Sequence, residues 1–187
     1  MYVVAGPNGA GKSTFTERAH HIFGLEPIDA DAIQRTSGIS SSAAWAEGLR
    51  RCRAAIALQR SFLVETTLAG RDVNRPSTYL NLMAEARAKG FRIDVTFIAL
   101  ENADAHVARV ADRVAAGQHD IPEHTIRKRY ALSLLRLPRA IMLSDHALVI
   151  DNSSATQPFR EVAEFENGAR IAVDTPLPTW LKQALGA

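Results

Sequence analysis

The sequence predicts an α/β fold with a mostly parallel sheet, and three observations carry that expectation. Short apolar, β-branched runs such as Tyr2-Val3-Val4-Ala5 alternate along the chain with helical patterns, as expected of parallel strands joined by crossover helices. Residues 6–13, Gly-Pro-Asn-Gly-Ala-Gly-Lys-Ser, follow the first such run directly and read as G-x-x-x-x-G-K-S, the phosphate-binding P-loop. Near the carboxyl end, two strand-like runs flank a turn, a hairpin that belongs at a sheet edge and not in a parallel core. The expected architecture is a P-loop NTPase- or kinase-like three-layer sandwich. Its core covers residues 1–153 of a single domain spanning 1–187, and the C-terminal hairpin and short helix cover 154–187.

The motif has a physical cause. Its glycines let the backbone turn sharply, so that N–H groups converge on an anion. A helix beginning near Lys12 brings its positive end to the same point. The expected nucleotide-binding residues are Gly6, Pro7, Asn8, Gly9, Ala10, Gly11, Lys12, Ser13 and Thr14. Lys12 would reach the β- and γ-phosphates and the Ser13 hydroxyl would ligate Mg²⁺.

The remaining elements follow from periodicity and punctuation. The first helix covers Thr14–Ala19, residues 26–29 form a short strand, and 29–33 turn into a short helix. Ser40, Ser41 or Ser42 caps the next helix, whose apolar face holds Trp45, Leu49, Cys52 and Ile56. Residues 61–65 form a strand ending on Glu65. Pro76 opens a helix that reaches Lys89, and Gly90 closes it. Residues 91–100 hold the longest strand. A helix over 103–116 places Val107, Val110, Ala111 and Val114 on one face. After the loop 117–122, Pro122 opens a helix to about Leu137, and Pro138 starts another turn. Residues 147–151 form a strand, 161–165 and 170–173 the hairpin, and 179–185 a terminal helix.

Composition narrows the function classes. The chain has 187 residues, 47% hydrophobic and 22% charged, with a net charge of +2 and no long basic block, so charge does not suggest nucleic-acid binding. The single cysteine, Cys52, excludes a disulfide framework. No apolar run approaches the ~20 residues needed to span a bilayer. With a strand starting at residue 2, the cytoplasm is the expected location.

In open α/β sheets, ligands bind at the carboxyl ends of the strands. Four strands lead there into candidate residues: Gly6, Asp29 and Asp31, Glu65 with Thr66 and Thr67, and Asp151 with Asn152. Ala147–Asp151 has the local pattern of a Walker-B strand but comes late and runs into turn-forming residues. With no clear Walker-B residue, Mg²⁺ would rest on Ser13, water and the nucleotide, which favours a small kinase over a motor ATPase. A kinase acting on a hydroxyl benefits from a carboxylate that takes its proton. Asp31 and Asp29 are the candidates, and either can instead be a cap or turn residue. Glu65 ends a very apolar strand, where it binds a substrate hydroxyl or enters a structural ion pair. Arg109 and Arg113 lie on one helix, and Arg127, Arg129 and Arg136 on the next. They flank the loop 117–122, the expected lid over the phosphates. Asp112 can pair with Arg109, whereas Arg113 has no acidic residue three or four positions away. His119 is a lid contact or an exposed polar residue.

The P-loop, Ile28-Asp29-Ala30-Asp31, Val64-Glu65-Thr66-Thr67-Leu68, Arg113-Val114, Gly117–Pro122, Ile126–Tyr130 and Asp151-Asn152-Ser153 together resemble, in order, the zeta toxin family of P-loop kinases. The resemblance implies an ATP-dependent phosphotransferase whose acceptor is the 3′-hydroxyl of the sugar in UDP-N-acetylglucosamine. It implies Asp31 as the base, Glu65 and Thr67 as acceptor-holding residues, and Arg113 with one of Arg127 and Arg129 at the phosphates (Arg129 preferred). A protein antitoxin is the partner it implies for a true toxin. Two departures stand out: Gln118 where many relatives place glycine, and a short chain lacking the extra substrate-binding segments. Two other readings remain open, a P-loop kinase for another small acceptor (a nucleoside, cofactor or sugar) and a nucleotide-binding regulatory module. The carboxylates at the strand ends argue against the regulatory module, which needs no acceptor base.

Overall fold

The computed structural model describes residues 1–70, 77–117 and 120–186. β1 (Tyr2–Ala5) buries Val3, Val4 and Ala5 completely, as a central parallel strand covered on both faces does. It runs through the P-loop into α1 (Lys12–Phe23), longer than the predicted helix. β2 (Pro27–Ile28) leads to Asp29, which caps α2 (Ala30–Ser37) by accepting from the Asp31 and Ala32 amides. Capping is therefore the role the fold gives Asp29. Ser40 caps α3 (Ser41–Ala57), which buries Leu49, Cys52 and Ile56. Burial pushes the Cys52 thiol up to about 12, so it is inert core. β3 (Leu63–Thr66) pairs with β1, and α4 (Thr78–Ala88) follows; Pro76, expected at its start, lies outside the described residues.

β4 (Asp94–Ala99) pairs with the other side of β1. α5 (Ala103–Ala115) corrects the expected apolar stripe: His106 and Val110 are buried, whereas Ala111 is exposed. The helix lies along the P-loop, where a β-carbon on Gly9 would meet both the His106 carbonyl and Val110, so its inner face is set by that contact. α6 (Glu123–Leu143) corrects the expected break at Pro138. The helix runs through it, with Leu134, Leu137, Ala140 and Ile141 buried on both sides of the proline. That burial outweighs the ~3 kcal/mol an interior proline costs. β5 (His146–Asp151) pairs parallel with β4. β6 (Arg160–Glu166) and β7 (Ala169–Val173) add antiparallel strands, joined at Asn167 and Gly168 with φ of 49° and 80°, a two-residue turn that needs positive φ twice. α7 (Thr179–Leu185) closes the chain.

The sheet order is β2-β3-β1-β4-β5-β6-β7. From β1 the chain moves first to one side and then to the other, so the order reverses at β1 and opens a crevice at its carboxyl end. One face of the sheet packs Val3, Val64, Val95 and Phe97 against α3, α4, α6 and α7. The opposite face packs Val4, Ile98 and Ile150 against Phe15 of α1 and Phe159. Trp180 of α7 is 1% exposed and its ring centroid lies 6.2 Å from that of Phe97. Trp180→Ala is expected to cost about 3–5 kcal/mol, read as a lower urea midpoint with unchanged slope. A loss below about 1 kcal/mol would mean that α7 adds little to the core.

Candidate active site

The P-loop is shaped by what its glycines avoid. A β-carbon on Gly6 would collide with the Ile98 carbonyl, and one on Gly11 would come within 2.6 Å of Asn152 Nδ2. Both have positive φ, 140° and 95°, a region costly for residues with side chains. Gly11 precedes α1 without a side-chain cap, which leaves the amides of the first turn facing the cleft.

The loop's carbonyls point the other way and are held by donors, two of them from distant elements and one from Lys12. His106 Nδ1 contacts the Asn8 carbonyl at 2.6 Å, while its Nε2 accepts from the Leu100 amide at 3.1 Å. Accepting at Nε2 makes Nδ1 the protonated nitrogen. Asn152 Nδ2 donates to the Ala10 carbonyl at 2.9 Å, and its Oδ1 accepts from the Phe159 amide. Lys12 Nζ donates to the Pro7 carbonyl at 3.0 Å.

The crevice at β1 is a cleft of about 1090 Å³, lined by P-loop residues and by Asp29, Asp31 and Glu65 on one side and Arg109, Arg113 and Arg129 on the other. Lys12 is buried, and burial lowers its pKa, opposed by Glu65 at 4.0 Å and by Asp31 and Asp29. Glu65 is held up by the same burial and pulled down by Lys12. Its carboxylate accepts from Ser13 Oγ at 3.2 Å and Thr16 Oγ1 at 2.9 Å. Of the two roles open to Glu65, a place beside the P-loop serine and lysine is the one the fold displays. Asp31, in the first turn of α2, is exposed in the cleft.

The arginines separate. Arg129 Nη1 donates to Asn8 Oδ1 at 3.0 Å, and burial lowers its pKa, opposed by Asp31. Arg127 lies outside, paired with Asp104 at 2.6 Å and Glu123 at 2.7 Å. Arg109 Nη2 donates to the Asn152 carbonyl at 2.7 Å. Arg136 is buried away from the cleft, donating to the Leu68 carbonyl. Thr67 is not brought to the cleft wall: its hydroxyl accepts from the Ala69 amide and its carbonyl from Ser133. Asp151 also turns away, held by Ser153 and by Arg160 at 3.4 Å, so it is not the Walker-B carboxylate its strand pattern suggested. Gln118 and His119 lie outside the described residues.

Ser13 and Glu65 supply a hydroxyl and a carboxylate oxygen beside the phosphate cradle, a hard-oxygen donor set that fits Mg²⁺. Among the described residues, no group of three or more His, Cys, Asp or Glu gathers as a metal site. The nucleotide and water would complete the shell.

No family model matches the chain. An uncharacterised protein of Haemophilus influenzae is 28% identical over 133 residues, covering 67% of this chain and 88% of that one. A proposed kinase from Chloroflexus aurantiacus superposes with a TM-score of 0.52 at 15% identity, over 68% of this chain and 78% of that one. A structure from the PezAT chromosomal toxin-antitoxin system of Streptococcus pneumoniae superposes with a TM-score of 0.55 at 14% identity, over 86% and 69%. The fold is that of P-loop kinases. No helix among the described residues is long and apolar enough to cross a membrane.

His106 yields a pH prediction. Burial, then Lys12 and Arg109, depress its pKa to about 4 against its Asn8 bond. The unfolded chain binds this proton near 6.5, so the neutral bonded form stabilises the fold above that pH. The contribution is lost as pH falls from about 6.5 to about 4. Denaturant titrations of wild type and His106→Gln should differ most at neutral pH and converge by pH 4. A gap independent of pH would show that His106 acts by packing alone.

Proposed function

We propose that the protein is an ATP- and Mg²⁺-dependent kinase that phosphorylates a hydroxyl of a small molecule. The resemblance to zeta toxins makes a nucleotide-sugar such as UDP-N-acetylglucosamine the acceptor to test first. One observation carries the reading: Asp31, a carboxylate in no ion pair among the described residues, shares one cleft with the P-loop lysine and two arginine-bearing helices. A switch module needs the phosphate cradle but not that carboxylate.

The chemistry follows from position. The P-loop amides and Lys12 hold the β- and γ-phosphates. Asp31 orients the acceptor hydroxyl and takes its proton as the acceptor oxygen bonds to the γ-phosphorus. The bond from that phosphorus to the β,γ-bridging oxygen breaks, and ADP leaves with the electron pair. Arg113 and Arg129 face the charge spreading over the transferred group. Bound at Ser13 and Glu65, Mg²⁺ would neutralise phosphate charge. Glu65 thereby supports the donor half of the site, a role the resemblance gave to the acceptor half. The likeness to the PezAT structure supports testing for a protein antitoxin as partner, and a cytoplasmic location fits such a kinase.

Asp31→Ala should leave ATP binding nearly intact and lower phosphoryl transfer by ~10²–10⁴, measured with radiolabelled ATP and UDP-N-acetylglucosamine or a small-molecule extract. Equal rates in variant and wild type would remove Asp31 from the mechanism. Glu65→Gln should weaken binding of ADP with Mg²⁺ while leaving binding of ADP in EDTA unchanged, by calorimetry. If both fall equally, Glu65 does not serve the metal.

A further inference from the structure

Beyond the phosphate cradle, the cleft continues along α2 and the start of α3, lined by Asp31, Gln34, Arg35, Gly38, Ile39 and Ser41. The polar groups on this wall divide by chemistry. Asp29 is consumed as a helix cap, which leaves Asp31 as the carboxylate facing the acceptor. Arg35 follows one helical turn later; residues four apart lie on the same helix face, ~6 Å from each other. Its exposed guanidinium forms no ion pair or hydrogen bond among the described residues, although it is near enough to Asp29 to lower that carboxyl's pKa. By contrast, Arg50 and Arg51 are paired with Glu47, and Arg127 with Glu123, at the same three- or four-residue spacing.

Gln34 adds to the same end. Its Oε1 accepts from Ser41 Oγ at 3.0 Å, and its amide nitrogen, a donor only, has no hydrogen bond among the described residues. A guanidinium fork and an amide N–H₂ thus both line the cleft, four and three residues along α2 from the Asp31 carboxylate. Such a donor cluster matches a carboxylate or phosphate better than a neutral ring.

Resting on the kinase reading above, we propose that the acceptor is an anionic alcohol. Its hydroxyl meets Asp31, and a phosphate or carboxylate about one helical turn away is held by Arg35 with Gln34. Neutral sugars and nucleosides are thereby disfavoured, because they would leave the guanidinium without an anion. The transfer step is unchanged. The new assignment is what grips the far end of the acceptor.

The test uses the full-length protein, γ-³²P-labelled ATP with Mg²⁺, and a bacterial small-molecule extract split on anion-exchange resin into neutral and anionic fractions. Label should enter a product from the anionic fraction only. Arg35→Gln should cut that transfer at least tenfold at sub-saturating acceptor, with Arg35→Lys between the two; all three proteins must melt at the same temperature. Phosphatase treatment of the anionic fraction before assay then names the anion: lost transfer assigns a phosphate monoester, retained transfer a carboxylate or phosphodiester. Label entering a neutral acceptor, or transfer indifferent to Arg35→Gln, overturns the proposal and leaves the kinase reading standing. Label in no product from either fraction overturns the kinase reading itself, and the proposal with it.

Discussion

The P-loop imposes one constraint on everything around it. A loop that turns successive N–H groups inward onto an anion turns its carbonyls outward into protein, where an unpaired buried acceptor costs about 1–3 kcal/mol. Three carbonyls receive donors here, and each donor fixes a different element. Pro7 is met by Lys12 of α1, Asn8 by His106 of α5, and Ala10 by Asn152 at the end of β5. The cradle is thus the point where both halves of the sheet are tied together. The glycines belong to the same constraint, since side chains at Gly6 or Gly11 would strike the Ile98 carbonyl and Asn152.

Those ties also place the arginines. Because His106 seats α5 on the loop, Arg109 and Arg113, one and two turns further on, reach the cleft. Asn8 accepts from Arg129 through its side chain while its carbonyl contacts His106, so one P-loop residue sets both arginine-bearing helices. The far part of α6 is anchored in the core by Leu134, Leu137, Ala140 and Ile141. Between the two, Ser133 and Arg136 hold the carbonyls of Thr67 and Leu68. The segment after β3 is therefore fixed to the helix that carries Arg129. Continuity of α6 through Pro138 matters for that reason: a break there would uncouple the cleft arginine from its anchor.

Much of this was legible in the sequence. The strand–loop–helix order around residues 6–13, the run of parallel strands and the edge hairpin at Asn167-Gly168 rest on local pattern, and local pattern survives in the fold. What was not legible depends on long-range pairing. Nothing near His106 in the chain tells that its partner is Asn8, 98 residues away. The signal present was a polar residue four before Val110, on what became the buried face. Asp151 has the better Walker-B pattern, yet Glu65 stands beside Ser13, because strand order and not strand composition decides which carboxylate neighbours the P-loop. Sequence reasoning leaves Arg127 and Arg129 open, although Glu123, four residues before Arg127, is a signal that separates them. Acidic neighbours on α5 and α6 draw Arg127 outward, and Asn8 draws Arg129 inward.

Charge balance gives the cleft its direction. Burial disfavours both the Lys12 ammonium and the Glu65 carboxylate, and each offsets the other's cost. Their partnership lies within the donor half, alongside the Ser13 and Thr16 hydroxyls that Glu65 accepts from. Glu65 is therefore already committed, as Asp29 is committed to its cap. Among the described residues the Asp31 carboxylate has no hydrogen bond or ion pair, and it lines the same cleft as Lys12 and Arg129, whose charges it favours. The four carboxylates near the strand ends are thus separated by their partners: Asp29 caps α2, Glu65 accepts from Ser13 and Thr16 beside the cradle, Asp151 is held by Ser153 and Arg160, and Asp31 stands exposed in the cleft.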